Sequence, residues 1–78
     1  MAERDSAASL AKIAADITDA LLGLGVSKAR FARYMDVAYT TVFRWCTYGI
    51  SPQSQYFKRV CKELGLAPED YGWDEYGE

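Results

Sequence analysis

The stretch Gly25-Val26-Ser27-Lys28-Ala29-Arg30-Phe31-Ala32-Arg33-Tyr34-Met35-Asp36-Val37-Ala38-Tyr39-Thr40-Thr41-Val42-Phe43-Arg44-Trp45 decides the fold through its spacing. Gly25 is a stop signal for a preceding helix, and the Ser27 hydroxyl can cap a new one by accepting from a first-turn N–H. A helix of about two turns holding Ala29 to Met35 is expected, with Phe31, Ala32 and Met35 inward and Lys28, Arg30 and Arg33 outward. Asp36 interrupts it. A further helix is predicted from Tyr39 to Thr47, closed by the turn Tyr48-Gly49-Ile50. At about 100° per residue, Tyr39, Thr40, Phe43, Arg44 and Thr47 fall on one arc of that helix, and Ala38, Val42 and Trp45 on the opposite one.

Upstream, Leu10, Ile13, Ala14, Ile17, Leu21 and Leu24 recur at three- and four-residue steps. This apolar stripe predicts a first helix over residues 6–23, with Asp5 or Ser6 as N-cap and Gly23 or Gly25 as terminator. Downstream, Ser51-Pro52 has the form of an N-cap serine followed by proline at the first helical position, where the missing N–H costs nothing. The last long helix is therefore expected to start there and run to Leu64, burying Phe57, Val60, Cys61 and Leu64, with Gly65 after its end. Ala67-Pro68-Glu69-Asp70 can open a final short turn. The fold class expected is all-α, a small bundle of four to five helices. Residues 1–66 form the domain and residues 67–78 an acidic, aromatic C-terminal tail.

Seventy-eight residues suffice for one small core and not for two. Half of them are apolar and 26% are charged, a balance that folds rather than stays disordered. No run approaches the roughly 20 apolar residues that cross a bilayer. The opening Met1-Ala2-Glu3-Arg4-Asp5 lacks the layout of a signal peptide, so a cytoplasmic protein without membrane contact is expected. Cys46 and Cys61 make no C-x-x-C pattern and the chain has no histidine, so both cysteines read as reduced and structural. No metal, cofactor or small-molecule ligand is expected.

The formal net charge of −2 conceals a strong asymmetry. Residues 25–66 carry Lys28, Arg30, Arg33, Arg44, Lys58, Arg59 and Lys62 against only Asp36 and Glu63, a local charge of +5. Residues 67–78 carry Glu69, Asp70, Asp74, Glu75 and Glu78 with no base. Residues 1–24 carry Arg4 and Lys12 against Glu3, Asp5, Asp16 and Asp19, a local charge of −2, so a basic centre lies between acidic ends, and that asymmetry is the electrostatic footprint to follow.

Residues 25–45 as quoted, continuing through Pro52 to Lys62-Glu63-Leu64-Gly65-Leu66, resemble the helix-turn-helix of the Cro and phage-repressor family over about 45 residues without a gap. The small residue that family needs where the two helices cross is Ala32. Its apolar positions around the turn are Phe31, Met35, Val37 and Val42, and Trp45 matches as well. Asp36 stands where the family usually has glycine, and Ala38 where it usually has a hydroxyl cap. The resemblance implies a lambda-repressor-like bundle and a sequence-specific DNA-binding transcriptional regulator, of the phage or prophage repressor type, that occupies an operator as a homodimer on double-stranded DNA. It implies that Tyr39, Thr40, Phe43 and Arg44 face base edges, Arg44 by pairing with O6 and N7 of guanine. Lys28, with the free N–H groups at its helix start, would hold a phosphate, assisted by Ser27 and Thr41. Lys58 and Arg59 would extend this backbone clamp.

Other readings compete. Arg30 and Arg33 can be a solvated helix face. The overall acidity, Phe43 and the aromatic tail would suit a protein-binding module such as an antitoxin or antirepressor. Tyr71 or Trp73 is expected to cover the end of the core or meet a mate in a dimer, and the acidic tail could instead compete with DNA for the basic face. An enzyme is not expected: there is no histidine for general-base work, and neither cysteine has an activating partner in the sequence.

Overall fold

The computed structural model describes residues 6–71, with side chains from Leu10 onward. Four helices follow one another, α1 (Ser6–Leu24), α2 (Lys28–Met35), α3 (Tyr39–Tyr48) and α4 (Phe57–Leu64), and a 3₁₀ turn (Pro68–Tyr71) closes the order. No strand occurs among the described residues, and the chain is an all-helical bundle. No helix among them is long and apolar enough to cross a membrane.

The stripe on α1 buries Ile13, Ala14, Ile17 and Leu21. Ile13, Ile17 and Leu21 pack with Phe31, Ala32 and Met35 of α2, Val42 and Trp45 of α3, and Phe57, Val60, Cys61 and Leu64 of α4. Two members of the expected stripe behave differently. Leu10 is half-buried, and Leu24 is 61% exposed because α1 ends there, past the last neighbour its periodic position would face. The N-cap expected at Asp5 or Ser6 lies outside the described side chains.

Three helices end in the same way. Gly25 (φ 70°), Asp36 (φ 61°) and Gly65 (φ 73°) each adopt the left-handed conformation. The next N–H then reaches back five residues: Val26 to the Leu21 carbonyl (3.0 Å), Val37 to Ala32 (2.9 Å), Leu66 to Cys61 (2.8 Å). In each case the apolar residue that follows packs partly buried against the core. This closure satisfies orphan carbonyls and turns the chain back at once. Asp36 thus does at the end of α2 what glycine does at the ends of α1 and α4.

The end of α3 is different. Gly49 (φ 94°, ψ −178°) leads out in an extended direction so that Ile50 can bury. A Cβ at Gly49 would collide with the Leu10 carbonyl oxygen, so its hydrogen is what lets α1 and α3 approach. The Thr18 hydroxyl, on α1, donates to the Ala14 carbonyl at 2.9 Å and reaches the Cys46 carbonyl at 3.3 Å, one of the last-turn carbonyls of α3 without a helical partner.

One expectation is corrected. α4 begins at Phe57, not at Pro52: residues 51–56 are successive turns in which Ser51 Oγ accepts from the Gln53 N–H (3.2 Å) and Ser54 Oγ from the Tyr56 N–H (3.1 Å). Local serine bonds of this kind compete with helix propagation. Beyond residue 66, Tyr71 is buried in the core edge-on to Phe57, with ring centroids 6.4 Å apart. Of the two aromatics expected to cover the core, Tyr71 does so; Trp73 lies outside the described residues. Cys61 is fully buried, which pushes its thiol up to about 11, and Cys46 is half-buried; both are free.

Candidate nucleic-acid interface

The expected phosphate-contacting residues start at Ser27. Its backbone is extended (φ −76°, ψ 159°) and its Oγ accepts from the Arg30 N–H at 3.0 Å, which leaves the hydroxyl proton free to donate. The N–H groups of Lys28 and Ala29 occupy the first turn of α2, where a helix offers no carbonyl partner. Lys28 itself is half-buried and makes no hydrogen bond or ion pair with any described residue. Backbone donors, a hydroxyl and an ammonium group therefore converge at one helix start, the arrangement that holds a phosphate.

Four residues after Met35, α3 begins at Tyr39. Val42 and Trp45 are buried, and Trp45 is further held by the Tyr56 ring, centroid to centroid 5.7 Å. With two inner anchors one turn apart the helix cannot roll, and its outer arc is fixed in direction. On that arc Tyr39, Thr40, Phe43, Arg44 and Thr47 are all exposed, as their spacing predicts. Tyr39 and Phe43 stack on each other at 6.4 Å and 28°. Arg44 makes no hydrogen bond, ion pair or ring contact with any described residue, so its guanidinium fork is open for a planar acceptor pair. Thr41 is half-buried, and its N–H donates to the Ala38 carbonyl at 3.0 Å. Ala38 caps α3 with its backbone alone.

Tyr39, the first of the expected base-edge residues, meets two of the expected phosphate contacts. One open groove between α1 and the α2–α3 pair is lined by Ser27, Lys28 and Tyr39, with Leu22 and Cys46 beside them. Arg59 does not line this groove: it lies 5.8 Å over the Tyr34 ring of α2, and it makes no hydrogen bond or ion pair with any described residue of α3. Lys58 is exposed on the first turn of α4. Two exposed side chains next to the surface went unread in the sequence. Tyr48, 68% exposed, follows Arg44 by four residues and shares its side of α3; Leu22, 75% exposed, falls off the α1 stripe and so gave no periodic signal.

Among the described residues no group of three or more histidine, cysteine, aspartate or glutamate side chains is placed to hold a metal ion. No family model, curated protein or solved structure matches the chain.

Proposed function

We propose that this chain is a sequence-specific DNA-binding transcriptional regulator of the Cro and phage-repressor type, entering the major groove with α3. The observation that carries the reading is the shared groove of Ser27, Lys28 and Tyr39, which sets a phosphate-holding helix start beside a rigidly anchored helix with Arg44 outward. A backbone phosphate on the start of α2 would fix register, and the side chains of α3 would then read base edges. Arg44 suits guanine; the stacked Tyr39–Phe43 pair offers apolar surface to thymine methyl groups. One copy covers little DNA, so tight binding calls for two copies on half-sites about one helical turn apart, roughly 34 Å. Occupying such a site excludes polymerase.

The test is a fluorescence titration with random-sequence duplex at low salt, followed by selection from random DNA. The proposal expects on the order of micromolar non-specific binding that weakens steeply as salt rises. Absence of binding at low salt would overturn it. The second reading, a protein-binding module, is favoured by the exposed aromatic pair on α3 and the net acidity of the chain, and it predicts that absence.

A further inference from the structure

Leu24 ends α1 with most of its side chain in water. Beside it, on the side of α1 away from Lys28 and Tyr39, a second open groove has Phe31 and Leu64 in its floor. Its walls carry opposite charges, Arg30 on α2 and Glu63 on α4. Arg30 makes no ion pair with any described residue, and Glu63 accepts a 2.9 Å hydrogen bond from the hydroxyl of Tyr34, a half-exposed ring that also lines the groove.

We infer that this groove is where a second copy of the chain docks, across a twofold axis that sets Arg30 of each copy on Glu63 of the other. A twofold contact uses the same patch twice, so residue i meets residue j and j meets i. A surface with one base and one acid flanking an apolar floor is complementary to itself under that operation. A strongly acidic or strongly basic partner would leave one of the two charges facing its like. The groove lined by Leu22, on the other side of α1, contains Lys28 and Tyr39 and is already assigned to nucleic acid. The inference deepens the proposed function, on which its biological sense rests, by naming the surface that makes the two-copy reader.

Sedimentation equilibrium of the full chain without DNA tests it. The expected result is a reversible monomer–dimer equilibrium. Leu24→Asp and Arg30→Glu, both at exposed positions, should each raise the dissociation constant about thirtyfold or more, with the helical circular dichroism retained. Arg30→Glu combined with Glu63→Arg should bring dimerisation back, an outcome that general misfolding cannot produce. A chain that stays monomeric at all concentrations, or a dimer indifferent to Leu24→Asp and Arg30→Glu, overturns the inference. So does a full-length monomer that dimerises once residues 72–78 are removed, since the chain's own C-terminus would then be the occupant. Random-duplex binding at low salt is read separately on wild type: its absence there sinks the DNA reading and leaves the interface standing.

Discussion

The Tyr71 hydroxyl donates to Asp16 Oδ2 at 2.7 Å, joining residues 55 positions apart and fastening the closing 3₁₀ turn to the middle of α1. Lys12 donates to the same oxygen at 3.1 Å and lies 4.7 Å over the Tyr71 ring. Acid, phenol and ammonium form one small network at the edge of the core.

That network makes a pH-dependent contribution to stability at both ends of the scale. The hydrogen bond from Tyr71, then that from Lys12, hold Asp16 below its ordinary 3.8. Its contribution is present above that value and is lost as pH falls through the lowered one. Burial first, then the Asp16 carboxylate, raise Tyr71 above its ordinary 10, so its contribution is present below pH 10 and is lost as pH rises beyond it. Tyr71→Phe should cost about 1 kcal/mol at neutral pH by urea denaturation. The gap from wild type should close both in strong acid and above pH 10; a gap constant with pH would refute the network.

Arg44→Ala and Lys28→Ala should separate reading from holding. Without Arg44, discrimination at one base pair should fall by about 1–3 kcal/mol, while without Lys28 all sequences should weaken alike and the salt slope should drop by about one. Binding measured on selected and scrambled duplexes decides between these patterns.

Two glycine replacements should move stability in opposite directions. Gly49→Ala meets both a positive φ and the Leu10 carbonyl oxygen, and should cost at least about 2 kcal/mol. Gly23→Ala, inside α1 with nothing within reach of the new methyl, should gain roughly 0.5–1 kcal/mol. Thermal unfolding of the pair checks the sign of each.

Asp36→Gly should stabilise by about 0.5–1 kcal/mol, because the left-handed conformation costs an L-residue about 1–2 kcal/mol and glycine's extra freedom in the unfolded chain cancels part of that gain. Asp36→Val should destabilise; equal midpoints for all three chains would show that position 36 is unstrained.

The helices from α1 to α3 were legible because their signals are local: a stripe of period near 3.6, the Ser27 cap, the interruption at Asp36. The inner and outer arcs of α3 followed from angular spacing, and the structure buries Val42 and Trp45 and exposes the outer arc; Ala38, expected on the inner arc, is exposed because it stands at the N-cap, before the helix begins. The start of α4 was misread because Ser51-Pro52 carries a helix-start signature while Ser51 and Ser54 bond their own neighbours two residues on. The Leu24 periodicity was real, but the helix stops before a partner arrives. Which C-terminal aromatic enters the core depends on Asp16, and no local rule sees across that separation. Likewise the convergence of Ser27, Lys28 and Tyr39 in one groove depends on how α1 lies across α2 and α3.

Ala38 gives α3 no side-chain cap, and the first bond into the helix from this end is Thr41 N–H to the Ala38 carbonyl. The amides of Tyr39 and Thr40 are therefore the places where this helix frays first, and amide hydrogen exchange should be fastest there within α3. A surface that would grip a ligand with its opening turn is thus left slightly loose at rest, and engagement would complete the helix at the same moment that it completes the contact.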